Sequence, residues 1–313
     1  MNDRSVKVNI GALAPTPKWS AGARGRFRVR EPFSAYFPAG EFADYTSYLN
    51  VAGNTIKQER RTRVTLVRRR AAQCSSDHSC AFVVKSERYP FLPRIRTGFR
   101  MAKAENEFRS LLYLQQLGVG AVEAVGFGAE RTALGFVRSC FVITRYLENS
   151  ITLADWQQSS DPQKDSSRRR ALLKRLGAIF RRLHGARFFL FTVKPKNILL
   201  RPAADDECDI YFVDTPYART LRWWPLSRWA QSRDLGYFFG SFEPDLTDGD
   251  LASFYEGYLP DVLGRAADGL RRGISRATRA QQNRTPISRL VHALKRYLRQ
   301  RSGRSRQAKS NRG

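Results

Sequence analysis

Two short apolar runs late in the chain, FTVKPKNILL and IYFVDTPYAR, constrain its fold more than any other feature. Each holds a stretch of β-branched and aromatic residues long enough for a strand, and the turn-forming PAADDE lies between them. The pair reads as two short strands that set Asn197 and Asp214 at strand ends, where ligands are usually held. Ahead of them, SSRRRALLKRLGAIFRRLHG places Leu172, Leu176, Ile179 and Leu183 on one stripe and ends on Gly185, which predicts a long core helix.

The first half of the chain has the opposite character. TRVTLVRRR, the polar AAQCSSDHS and CAFVVK read as strand, connection and strand, with Lys85 ending the second. AENEFRSLLYLQQLG carries Phe108, Leu111, Leu112 and then Leu114 or Gln115 at helical spacing, with Gly118 placed to cap its end and Glu107 one residue from the stripe. VEAVGFG and RSCFVITRYL are two further strands, and SITLADW starts a short helix. Strands with one helix therefore give way to helices.

At 313 residues the chain can form about two domains, which a bilobal α+β fold satisfies. Its 42% apolar and 12% aromatic content excludes a wholly disordered protein. The 55 Lys and Arg against 28 Asp and Glu give a net charge of +27, which makes a polyanion the default partner: nucleic acid, anionic lipid or phosphorylated glycolipid. No apolar run approaches the roughly 20 residues that span a bilayer, and the best, around Phe141 to Ile143, is fenced by Arg138 and Arg145. The first thirty residues lack the pattern of a signal peptide, so the cytoplasm is the expected compartment. Four scattered cysteines point to reduced thiols, and Cys74, His78 and Cys80 lack a fourth ligand at zinc spacing.

Phosphoryl transfer to a hydroxyl needs a cation on the α/β-phosphates, amide and carboxylate oxygens on Mg²⁺, and a carboxylate that deprotonates the nucleophile. Lys85, Glu107, Asn197 and Asp214, in that order, supply all but the last. Lys85 would hold ATP phosphates, Glu107 would fix its ammonium, and Asn197 and Asp214 would hold the metal. Taken singly, each also reads as a surface charge or a turn residue. The joint order favours a nucleotide site. Where a kinase keeps its base the chain has Thr192, while Lys194 stands where a kinase lysine reaches the transferred phosphate.

With those residues in place, the chain over roughly 42–260 resembles the lipopolysaccharide kinase family, the bacterial core-heptose and Kdo kinases. ERRTRVTLV is similar to their Arg-rich first strand, CAFVVK to the lysine strand, AENEFRSLLYLQQLGVG to the following helix and CFVITRYLENSITLADW to the hinge. LHGARFFLFTVKPKNILL aligns with the helix end and catalytic loop, and RDLGYFFGSF with a later helix in which Asp234 would buttress that loop. The resemblance implies a bilobal protein-kinase-like fold, ATP and Mg²⁺ as cofactors, and a core sugar of lipopolysaccharide as acceptor. The departures are Leu190 and Thr192 in place of the loop's His and Asp, and Thr215-Pro216 after Asp214.

The expected organisation is an irregular extension over 1–41, an N-lobe over 42–146, a C-lobe over 147–268 and a basic tail over 269–313. Within the tail PISRLVHALKRYLRQR puts Ile287, Leu290, Val291, Leu294 and Leu298 on one stripe among arginines and lysines, an amphipathic helix over 286–300 suited to an anionic membrane or to the protein's own C-lobe. The expected site is the cytoplasmic face of the inner membrane. Nucleic acid ranks last among the partners, because RWWPLSRW could stack bases but accompanies no recognised RNA or DNA module.

Overall fold

The computed structural model describes residues 20–22, 25–38, 41–42, 44–70, 79–90, 94–95, 97–98, 100–159, 166–203, 207–221, 223–242, 246–259 and 265–282. They fall into two compact units, one of Met1–Trp156 with Lys196–Arg219, the other of Gln157–Pro195 with Thr220–Gly313. The class is α+β, with an antiparallel sheet in the N-terminal part and helices dominating the C-terminal part.

In unit 1 the strands β1 (Ser20–Gly22), β2 (Gly25–Val29), β3 (Asn54–Gln58), β4 (Thr62–Arg70), β5 (Ser79–Arg88), β6 (Ala124–Arg131) and β7 (Val137–Arg145) form one sheet in the order β1-β2-β6-β7-β5-β4-β3. The four central strands are those read from the sequence, but β5 runs three residues past Lys85, so this lysine sits within the strand. Strand alternation sends Phe82 and Val84 to one face and Lys85 to the other.

The face that takes Phe82 and Val84 is covered by residues from the segment read as an irregular extension, 1–41, and from the start of the expected N-lobe. There β2 pairs with β6, and the short helices α1 (Glu31–Ser34) and α2 (Tyr45–Leu49) bring Phe33, Phe37, Phe42, Tyr45 and Tyr48 into one buried cluster with Phe82, Phe141 and Ile143. Prolines and arginines hid this spacing of aromatics from a periodicity reading. Burying each ring is worth about 1.5–3 kcal/mol, enough to order a segment with little regular structure of its own.

The helix α3 (Lys103–Gln116) packs on the sheet through Phe108, whose ring lies 4.9 Å from that of Phe127, and it buries Leu111 and Leu114. It ends as expected, with Gly118 at φ 66°. Two residues on, a Cβ at Gly120 would stand 2.1 Å from the Ile210 carbonyl oxygen, so only glycine lets the chain approach there. That approach ties the helix's exit to β11 (Cys208–Phe212), through Phe212 N–H to the Gly120 carbonyl and Val122 N–H to the Phe212 carbonyl. A second sheet joins β8 (Ile151–Thr152), β10 (Ile198–Pro202) and β11, with Ile198 opposite Phe212. The short helix α4 (Leu153–Ser159) follows β8.

Unit 2 is built on α5 (Ser166–Gly185), α6 (Trp224–Phe239), α7 (Asp248–Tyr258) and α8 (Arg265–Gln282), with the short strand β9 (Phe188–Phe189) after α5. The buried stripe of α5 is Leu172, Leu173, Leu176, Phe180 and Leu183; Ile179, assigned to that stripe above, is only half-buried because Phe180 fills the position facing Phe238 and Phe254. At Gly257 an added Cβ would meet the Lys174 carbonyl oxygen at 1.9 Å, so α5 and α7 cross in backbone contact. A capping box at Thr247 and Asp250 starts α7, and Arg169 grips the same Asp250 carboxylate with two bonds of 2.8 Å. The amphipathic helix expected over 286–300, together with Cys74 and His78, lies outside the described residues.

Candidate functional site

Three of the six candidate residues meet directly. The Lys85 ammonium donates to Glu107 Oε2 and to Asp214 Oδ1, both at 2.5 Å, so strand β5, helix α3 and the end of β11 converge on one cation. Glu107 is 4% exposed, well inside the helix face to which its sequence position made it a near neighbour. Asn197 adds its side-chain amide, which donates at 3.4 Å to the main-chain oxygen and to Oδ2 of Asp214, and its own carbonyl accepts from Val213 N–H.

Asp214 is held in an uncommon conformation, φ 55°, which for a residue other than glycine marks a position over-determined by its surroundings. Asn106 supplies part of that determination. Its side-chain amide donates to the Pro216 and Ala218 carbonyls, so adjacent residues of α3 fix the lysine and the loop that follows Asp214. Sequence reasoning missed Asn106. Its signal was adjacency to Glu107, which in a helix places the two side chains about 100° apart.

One ammonium faces two carboxylates here. Burial by itself would lower the Lys85 pKa, but Glu107 and Asp214 outweigh it and hold the value above the ordinary lysine range. Burial pushes Glu107 up to about 7; Lys85 opposes that shift and the Asp214 charge adds to it. The arrangement has surplus negative charge at Asp214, which is still 45% exposed at its side chain. Carboxylate and amide oxygens at Asp214 and Asn197 form a donor set that suits Mg²⁺.

The hairpin beside Lys85 corrects one assignment. Glu59, Arg60 and Arg61, read with the first strand, form the turn between β3 and β4, closed by Glu59 N–H to the Thr62 carbonyl. Gln58 already pairs with Arg63, so the intervening residues have no ladder partner and must turn. The turn has no glycine; Arg60 and Arg61 are exposed, four and three residues before Val64, the partner of Lys85.

Thr192 and Lys194 belong to unit 2, where Asp234 organises their loop. The fully buried Asp234 accepts the N–H groups of Leu190 and Phe191, each at 2.8 Å, and lies 3.3 Å from His184 Nε2, whose Nδ1 is 2.7 Å from the Tyr258 hydroxyl. Burial, followed by the Asp234 charge, raises the Tyr258 pKa, so its hydroxyl keeps its proton beside the histidine ring. Phe191, at φ 61°, is the centre of a γ-turn closed by Thr192 N–H to the Leu190 carbonyl at 2.8 Å. Its ring packs with Phe189, Ala230 and Leu221. The half-buried Lys194 places its ammonium 5.5 Å from the centre of the Tyr237 ring. His184 and Tyr258 were not singled out from the sequence; the histidine closing an amphipathic helix was the available signal.

A solved structure of WaaP in complex with acyl carrier protein matches with a TM-score of 0.59 at 18% identity, over 82% of this chain and 99% of that one, which identifies the fold as kinase-like. No curated protein matches the sequence significantly. The model of the lipopolysaccharide kinase (Kdo/WaaP) family matches residues 57–258, a span that contains Lys85, Glu107, Thr192, Lys194, Asn197, Asp214 and Asp234, and on that match the chain belongs to this family.

Proposed function

We propose that the protein binds Mg·ATP at Lys85, Asn197 and Asp214 and transfers the γ-phosphoryl group to a hydroxyl of a lipopolysaccharide core sugar, heptose or Kdo, at the anionic inner face of the cytoplasmic membrane. The observation that carries this reading is the Lys85 ammonium bonded to both Glu107 and Asp214, a phosphate-binding cation beside a metal-binding carboxylate. When bound, Mg²⁺ would neutralise the phosphates and the surplus charge at Asp214. The oxygen–phosphorus bond to the sugar would form as the bond to ADP breaks, and the sugar hydroxyl would give up its proton to solvent water.

Thr192 supplies no carboxylate for that proton, and general acid–base help is worth about 10²–10⁴-fold in rate. Positioning and charge neutralisation carry most of the remainder, with Lys194 as the cation for the transferred group. The reading is therefore a slow kinase. Thr192 also favours a second reading, a nucleotide-binding pseudokinase that scaffolds glycolipid at the membrane.

A thermal-shift titration of purified protein with Mg·ATP, followed by phosphate analysis of lipopolysaccharide incubated with both, tests the proposal. Mg·ATP should stabilise the wild type by mass action and Asp214→Ala should abolish the shift. Thr192→Asp should raise phosphate incorporation by about 10²–10⁴-fold. A nucleotide shift without incorporation in either protein selects the pseudokinase; absence of any shift removes the nucleotide from both readings.

A further inference from the structure

Helix α6 begins with an arrangement that its own stability does not explain. Its N-cap is Trp223, whose side chain makes no capping hydrogen bond, at a position where Ser, Thr, Asn or Asp would satisfy a free amide. That residue is 66% exposed, and Leu226 and Trp229 follow at 42% and 52%. Residues three apart are neighbours on a helix surface, so the three side chains form one apolar edge along the first two turns. Among the described residues, Trp223 and Trp229 are the exposed tryptophans.

The edge is not the loose end of a helix. Ser227 is buried next to it and donates its hydroxyl and its N–H to the Trp223 carbonyl, at 3.2 and 3.1 Å. Ala230, at zero exposure, packs into the cluster of Phe189 and Phe191, and Leu221 N–H reaches the Arg187 carbonyl just ahead of the helix. The Trp229 ring centre lies 6.3 Å from that of Phe191, and the Arg233 guanidinium stands 5.1 Å from it. The buried side of α6 is therefore fixed, and fixing it holds Trp223 and Leu226 out in solvent.

We propose that this edge seats α6 in the headgroup layer of an anionic bilayer, an inference that rests on the membrane location proposed above and names the surface that makes the contact. Indole rings concentrate at the membrane–water interface, where the ring body leaves water and the N–H keeps a polar partner. The net charge of +27 draws the whole chain to an anionic surface, whichever arginines are paired within the protein. Charge alone would serve any polyanion; exposed apolar side chains favour one with an acyl interior over nucleic acid. A second copy of the chain is a poorer occupant, because a stable protein interface takes roughly 20–30 residues a side and this edge is a short one. No helix among the described residues is long and apolar enough to cross a membrane, so the contact is one of insertion at the interface.

The test sediments full-length protein with vesicles of phosphatidylcholine and phosphatidylglycerol, and follows tryptophan fluorescence with the same vesicles carrying bromine on their acyl chains. Trp223→Ser with Leu226→Gln removes the edge while placing Ser at the N-cap and Gln at the third helical position, the pattern of a capping box, so the helix start should hold. The variant should bind at least about tenfold more weakly than the wild type, with helicity by circular dichroism unchanged. Brominated chains should quench the wild type, and quench the variant less. Equal binding by the two proteins, or no quenching of the wild type, overturns the proposal. So does a dimer seen without lipid in the wild type and absent from the variant, which would assign the edge to a second copy. If the double variant loses helicity, Leu226→Gln alone, a good helix former at an exposed position, should still weaken binding several-fold, and unchanged binding refutes the inference. A wild type that binds no anionic vesicle defeats the membrane location as well, whereas equal binding by wild type and variant defeats this inference alone.

Discussion

Lys85 stands between two carboxylates, and that ratio sets how Glu107 titrates. Burial pushes Glu107 up to about 7, against an unfolded value near 4.3, so the folded chain binds this proton more tightly than the unfolded chain. The corresponding stability is complete below about pH 4.3 and is lost as pH rises toward 7. Glu107→Gln, neutral at every pH, should flatten this dependence: denaturant unfolding at pH 5 and pH 7.5 should show a smaller loss across the interval in the variant, and equal losses would refute the assignment. At the neighbouring turn, Arg60 and Arg61 are exposed ahead of the strand that pairs with that of Lys85. At about 3.3 Å per residue their turn lies roughly 10 Å along the strand from Lys85, within reach of a triphosphate. Arg60→Ala with Arg61→Ala should raise the Kd for Mg·ATP several-fold and leave that for adenosine unchanged, as measured by calorimetry.

Among the elements, α6 bears the loop that contains Thr192. Asp234 accepts two amides of the γ-turn at Phe191, and it does so at zero exposure. Removing that carboxyl strands two buried N–H groups at about 1–3 kcal/mol each. Asp234→Ala should therefore lower unfolding free energy by several kcal/mol in urea titration, whereas Asp234→Asn, which keeps one acceptor oxygen, should lose less. If the two lose the same, the amides find other partners. Helix α3 divides its work along its length: Leu111 and Leu114 fix it to the sheet, Glu107 takes the lysine, and Asn106 takes the loop after Asp214. The stripe was legible because burial repeats with the helical period. Asn106 was not, because a polar side chain reaching a distant carbonyl leaves no periodic trace.

Across the whole molecule the net charge of +27 dominates. Among the described residues no helix is long and apolar enough to cross a membrane. Four exposed or half-buried arginines of α8, Arg271, Arg272, Arg276 and Arg279, cluster on one face. Binding to vesicles containing phosphatidylglycerol should weaken steeply between 50 and 200 mM salt, over which the Debye length falls from roughly 14 to 7 Å. Sedimentation that ignores salt would mean the attachment is apolar instead. The sequence by itself determined the four central strands, the helices α3 and α5, the family and the candidacy of Lys85, Glu107, Asn197 and Asp214, because strand and helix periods and residue chemistry are local properties. Only the tertiary structure decided the rest. It placed the aromatic segment of residues 33–48 over the sheet's second face, set two carboxylates on one ammonium, and left Trp223, Leu226 and Trp229 in solvent at the start of α6. Each depends on which residues distant in sequence share a surface, and burial and charge balance are set only once those surfaces meet.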